Sequence, residues 1–281
     1  MTTAAEVQDK TVILNGLRFH YLDWGNAGAP PLVLLHGFTS HAHSWDTFAE
    51  AMRDEHHVLA LDQRGHGESE WATDYHPLRR VEDLAAFVDA LDLDRFDLLG
   101  LSMGGRCAYQ YAARNPLRVD RLVIVDIAPE TAPGGAQRIA NGLRSQDVFA
   151  NPDEAFAVAR QANPRPPDDE LRKRVTHGLL QRADGTWTFR YDVALRNNSG
   201  ARVVATPEEI EHDWASLGRI SSDTLLVRGL HSDILSEDQA ARMVAAIPSC
   251  RLVEVADAGH SVPLDNPSGF LQVVRGFLNV G

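Results

Sequence analysis

Ser102 stands in the run Gly100-Leu101-Ser102-Met103-Gly104-Gly105, directly after the apolar stretch Phe96–Leu99 and before a segment with helical spacing, Met103 to Arg114. A G-x-S-x-G turn between a strand and a helix is tight enough to strain the serine backbone and to lift its hydroxyl clear of the sheet. Side chains two positions away on either side would crowd such a turn, so glycine is demanded at 100 and 104. The turn also sets the serine at a helix amino terminus, where unpaired N–H groups and the helix dipole favour negative charge. The chemistry that suits this arrangement is attack by an activated serine on a carbonyl.

A serine nucleophile needs a base, and the base needs a carboxylate to orient it. Of the twelve histidines, His260 is the candidate. It follows the last apolar run in Ala258-Gly259-His260, at the sheet edge that also carries Ser102. Two aspartates end strands in the required chain order: Asp126 after Leu122–Val125, and Asp233 after Leu225–Val227 across Arg228-Gly229-Leu230-His231-Ser232. Asp233 is preferred, because its strand directly precedes the one leading to His260. Asp126 is read as a structural carboxylate. The oxyanion formed on an attacked carbonyl needs N–H donors. The Met103 N–H supplies one. The Phe38 N–H, in the loop His36-Gly37-Phe38-Thr39 after Pro31–Leu35, supplies the other, with His36 ordering the loop. His41, His43, His56, His57, His66 and His231 fall in loops or at strand edges and read as surface residues. His41 and His43 lack further ligands at metal-binding spacing, so no metal is expected.

These residues need a scaffold. Val12 to Trp24 alternates as two strands joined at Asn15-Gly16. Continuous apolar runs follow at Pro31–Leu35, His57–Leu61, Phe96–Leu99, Leu122–Val125, Leu225–Val227 and Leu252–Val255. Runs of this kind suit strands buried on both faces. Helical stripes, such as Val81, Leu84, Ala85, Val88 and Leu91, lie between most of them. Strand alternating with helix predicts a doubly wound, mostly parallel α/β sheet. From Thr131 to about Trp214 the rhythm breaks. Helical patches at Pro152–Ala162 and Asp168–Leu180 predict a helical insertion over residues 131–215, inside a core made of 1–130 and 216–281. Its aromatic residues Phe149, Phe156, Trp187, Phe189, Tyr191 and Trp214 are read mainly as its own small core.

The chain has 281 residues and a formal net charge of −12. Acidity of this size argues against nucleic acid and anionic membranes as partners and slightly disfavours polyanionic substrates. Two cysteines, Cys107 and Cys250, suggest reduced structural thiols. The polar stretch Met1 to Lys10 has no apolar signal-peptide core, and no run is long enough to span a bilayer. A cytoplasmic location is expected.

Together these segments resemble the α/β-hydrolase fold family. Beside the serine turn, Asp62-Gln63-Arg64-Gly65-His66-Gly67-Glu68-Ser69 is similar to the family's D-x-R-G-x-G-x-S loop, and His36-Gly37-Phe38 to its H-G-x oxyanion segment. The resemblance implies an eight-stranded sheet with a helical cap, and a triad of Ser102, Asp233 and His260. It also implies a serine hydrolase acting on a small carboxylic ester or lactone, without cofactor. Cleavage of carbon–carbon bonds is the alternative, weakened because Ser261 stands where those relatives tend to place tryptophan. Perhydrolysis, or a ligand receptor that has lost catalysis, are further alternatives. Assembly as a homo-oligomer is left open.

Overall fold

The protein is described by a computed structural model over residues 6–143, 145–196 and 206–279; residues 1–5 of the polar amino-terminal stretch lie outside the described residues. Strands β1 (Gln8–Leu14) and β2 (Leu17–Asp23) form the expected antiparallel hairpin at Asn15-Gly16. Strand and helix then alternate: β3 (Pro31–Leu35), α1 (Asp46–Met52), β4 (His57–Leu61), α2 (Pro77–Ala90), β5 (Phe96–Leu101), α3 (Met103–Arg114) and β6 (Val119–Val125). The interrupting segment holds α4 (Pro133–Leu143), β7 (Val148–Phe149), α5 (Pro152–Ala162), α6 (Asp168–His177), β8 (Leu179–Gln181), β9 (Trp187–Phe189) and α7 (Pro207–Leu217). The chain returns through β10 (Asp223–Gly229), α8 (Glu237–Ala246), β11 (Cys250–Val255), α9 (Val262–Asp265) and α10 (Pro267–Leu278).

Eight strands make one sheet in the order β1-β2-β4-β3-β5-β6-β10-β11. It is parallel from β4 to β11 and antiparallel at the β1–β2–β4 edge. Alternate residues of each central strand feed separate cores. Val33 and Leu35 join the cluster on one face, and Leu32 and Leu34 the cluster on the other. Burial on both faces is why these strands read as unbroken apolar runs rather than alternating ones. From β3 the chain goes to β4 on one side and then to β5 on the other. That reversal opens a crevice at the carboxyl ends of β3 and β5, where ligands bind in sheets of this kind.

The segment 131–215 departs from the expected all-helical picture. It contains a three-stranded antiparallel sheet, β7-β9-β8. Strands of two or three residues are too short to show alternation, so no pattern marks them. Phe149, Ala155, Leu171, Val175 and Leu179 form a separate small core there. Helix α7 lies inside the same bracket yet packs on α3. Its buried Asp213 accepts hydrogen bonds from Arg106, Tyr109 and Gln110, three side chains on one face of α3. Trp214 likewise packs against the main core. Cys107 and Cys250 are free thiols. Among the described residues, no helix is long and apolar enough to cross a membrane.

Candidate active site

Ser102 joins β5 directly to α3 with φ 54° and ψ −114°, a region that strains a non-glycine residue by about 1–3 kcal/mol. Its amide is held by the Val125 carbonyl at 2.9 Å. The flanking glycines are sterically required. A Cβ at Gly100 would lie 2.3 Å from the Gly104 carbonyl oxygen, and one at Gly104 would lie 2.3 Å from that of Leu35. The turn therefore packs backbone on backbone, and the serine is raised into a cavity that His260, Phe38 and Met103 also line.

His260 Nδ1 lies 2.8 Å from Asp126 Oδ2. The carboxylate beside the histidine is thus Asp126, which corrects the expectation of Asp233. Asp126 follows β6 with φ 53° and is fully buried. Its amide bonds the Val227 carbonyl of the neighbouring strand β10 at 2.8 Å. This turns its side chain across the end of β10. There Oδ1 accepts from the Gly229 amide at 3.0 Å, and Oδ2 accepts from the Ser232 hydroxyl at 2.5 Å. Ser232 occupies the inward place expected of Asp233. Its hydroxyl also accepts from the Ile234 and Leu235 amides at 3.1 Å, making a tight turn. One residue on, Asp233 points to α4 and pairs with Arg138 at 2.7 Å, its side chain 41% exposed. Strand order alone could not separate the two aspartates, because β10 sits between β6 and β11 and the ends of both β6 and β10 reach the histidine loop. Nothing in the spacing singles out Ser232.

The loop after β3 lies against Ser102, since a Cβ at Gly37 would stand 3.5 Å from Ser102 Cβ. His36 orders it as expected. It is fully buried, and its Nδ1–H donates to the Gly37 carbonyl at 2.8 Å. Its Nε2 accepts from the Gln63 amide at 3.0 Å. Burial lowers its pKa and keeps it neutral. Met103 opens α3, and the first amides of a helix have no intrahelical acceptor. The D-x-R-G-x-G-x-S loop is structural: Asp62 contacts His20 Nδ1 at 2.7 Å and Arg64 pairs with buried Asp83.

Several histidines expected at the surface are inside. His41, His56 and His66 are buried. Burial pushes His41 and His66 down to about 3, so each is a neutral hydrogen-bond donor: His41 Nε2 to the Arg174 carbonyl at 2.9 Å, His66 Nδ1 to that of Arg64 at 2.9 Å. His43 does gain two neighbours, one distant in sequence and one three residues on. His177 of α6 stacks on it with ring centroids 3.9 Å apart, and Asp46 Oδ2 is 3.0 Å from its Nδ1. Among the described residues, these three could hold a metal ion. Phe149, Phe156, Trp187 and Phe189 belong to the small core of the inserted segment, and Phe189 also lines, with Tyr191, the cavity, whose volume is about 890 Å³.

A family model for the alpha/beta hydrolase fold matches residues 30–267. The chain belongs to the α/β-hydrolase family. This α/β hydrolase is similar to an esterase of Mycobacterium tuberculosis, 29% identical over 267 residues, covering 92% of this chain and 85% of the relative. It is also similar to N-formylmaleamate deformylase of Pseudomonas putida, 30% identical over 278 residues and covering 95% of both chains. Its fold matches the crystal structure of an α/β hydrolase from Novosphingobium aromaticivorans with a TM-score of 0.84 and 29% identity, over 97% of this chain and 98% of that one.

Proposed function

We propose that this hydrolase cleaves a carboxylic ester or lactone by two-step acyl transfer, with Ser102 as nucleophile, His260 as base and Asp126 as the carboxylate behind it. The observation that carries the proposal is the 2.8 Å contact between Asp126 Oδ2 and His260 Nδ1. With its Nδ1 proton directed at Asp126, His260 keeps the Nε2 lone pair for the Ser102 proton. Ser102 Oγ bonds the carbonyl carbon as Nε2 takes that proton. The Phe38 and Met103 amides hold the oxyanion, and the imidazolium returns the proton to the departing alkoxide. Water, deprotonated by Nε2, then attacks the acyl-enzyme, and Ser102 recovers its proton as the acid leaves. Gly229 and Ser232 fix the carboxylate in one orientation throughout.

Ser102→Ala tests this. It should abolish p-nitrophenyl ester turnover and fluorophosphonate labelling with the melting temperature unchanged. Retained turnover would overturn the assignment. The likeness to the deformylase favours a second reading, in which the same steps expel an amine from an N-acyl bond. Product analysis on a panel of esters, lactones and N-formyl amides distinguishes the two.

A further inference from the structure

The cavity wall carries a charge opposite to that of the protein. The chain has a net charge of −12, yet five arginines line the cavity, against Glu130, Asp233 and Asp265. Two of the five are matched, Arg106 by Asp213 at 2.8 Å and Arg138 by Asp233 at 2.7 Å. Arg80, Arg165 and Arg174 are not; Arg165 lies along Gly259 in the histidine loop. Among the described residues, Arg80 Nη1 donates to the Tyr75 carbonyl at 3.3 Å, and neither the Arg80 nor the Arg174 guanidinium has an ion-pair partner. Residues 1–5, 144, 197–205 and 280–281 contain no aspartate or glutamate that could supply one. Asp265 acts on Arg174 from beyond ion-pair distance, and its carboxylate oxygens accept from the Gly259 amide and the Asn163 side chain.

Both arginines sit deep enough that burial lowers their pKa, that of Arg80 to about 10. Both side chains are half-buried and their remaining donors open on the cavity, so a bound anion can supply an acceptor there at little further desolvation cost. Arg80 comes from the first turn of α2 in the core and Arg174 from α6 in the inserted segment. Both act electrostatically on His36, next to the loop that carries Phe38. Two positive charges from two different helices thus line one cavity and reach the His36 loop.

We propose that the substrate carries a carboxylate in addition to its scissile carbonyl, and that Arg80 and Arg174 bind that carboxylate. The planar guanidinium fork matches a carboxylate face, and such charge-assisted bonds are the strong ones. Between them the two residues would draw the inserted segment and the core together around the bound anion. The acidity of the whole chain, which by itself slightly disfavours polyanionic substrates, does not extend to this wall.

This proposal rests on the serine-hydrolase reading, and the experiment separates their failures. Mono-p-nitrophenyl esters of adipic and suberic acids are compared with p-nitrophenyl hexanoate and octanoate. The acid esters should be preferred in kcat/KM by about 10- to 100-fold, the range for a hydrogen bond to a charged group. In Arg80→Gln and Arg174→Gln that ratio should collapse toward one, mainly through KM. Arg172→Gln, on the outer face of α6, should keep it. Adipate should inhibit the unaltered protein competitively where adipamide does not, a readout that needs no variant. Equal use of acid and neutral esters, equal inhibition by adipate and adipamide, or folded arginine variants that keep the ratio would overturn the proposal. So would stronger inhibition by an alkyl phosphate than by adipate. If the serine reading fails instead, no ester turns over and Ser102 is not labelled. Calorimetry with adipate then still decides the carboxylate site.

Discussion

Replacing Asp126 by asparagine separates the two candidate acids. The Asp126 carboxylate accepts from three donors: His260 Nδ1 and the Ser232 hydroxyl on Oδ2, and the Gly229 amide on Oδ1. Asparagine offers one oxygen and one NH2 group, so one side must face a donor with a donor. If the NH2 faces His260, the imidazole must carry its proton on Nε2 and can no longer accept from Ser102. For a triad that wrong tautomer lowers kcat about 10⁴-fold, or about 5.5 kcal/mol. If the oxygen faces His260, the buried Gly229 amide is left without an acceptor, at about 1–3 kcal/mol of stability. Asp233→Asn, in contrast, loses only an exposed pair with Arg138, worth at most about 1 kcal/mol. Its turnover should stay within about threefold of the parent. Rates of p-nitrophenyl butyrate hydrolysis and fluorophosphonate labelling measure the first effect, and urea melts measure the second. A loss of 10³-fold or more in Asp233→Asn refutes the reasoning. So does a folded Asp126→Asn within about tenfold of the parent.

Ser232→Ala removes one of the three donors to Asp126 and should lower kcat about tenfold with KM little changed; an unchanged kcat would mean that the hydroxyl only shapes the turn. Gly104→Ala forces a methyl group to 2.3 Å from the Leu35 carbonyl oxygen. It should cost about 1–3 kcal/mol or more in a thermal melt and abolish labelling of Ser102. A stable, fully active variant would contradict the close packing of β3, β5 and α3. Burial works to raise the pKa of Asp62, but its hydrogen bond with His20 and the nearby histidines hold it down at about 2, against an ordinary 3.8. A depressed carboxyl stabilises the fold above its unfolded value, and that contribution fades as pH falls toward the folded one. It amounts to roughly 2 kcal/mol. Asp62→Asn should therefore flatten the acid limb of stability against pH, and an unchanged slope below pH 4 would count against this account.

The sheet was legible because its strands are buried on both faces: Pro31–Leu35 and His57–Leu61 are read from the sequence with the ends they have in the structure. The serine turn was legible because steric demand writes itself as glycine at 100 and 104. Side-chain direction at a loop is another matter. Whether residue 232 or 233 faces inward depends on the turn closed by the Ser232 hydroxyl, and that turn has no signature beyond a serine beside an aspartate. The inserted segment was half legible. Helix α5 matches the predicted Pro152–Ala162, while α7 looks in sequence like one more helix of the insertion, because only packing on α3 distinguishes it. Arg80 and Arg174 sit on helices as ordinary polar positions, and their meaning appears only when two distant helices face one cavity.

The clamp that Asp213 places on Arg106, Tyr109 and Gln110 bears on the order in which the site comes into being. It fixes how α3 is turned about its axis, and so where the Met103 amide points, but the aspartate is synthesised more than a hundred residues after the serine. The histidine arrives later still. A nascent chain with a finished β5 and α3 therefore exposes Ser102 with neither a base beside it nor a settled donor in front of it. On the proposed mechanism, then, the base and the settled donor both depend on residues made after the serine, so reactivity waits for the carboxyl-terminal part of the chain.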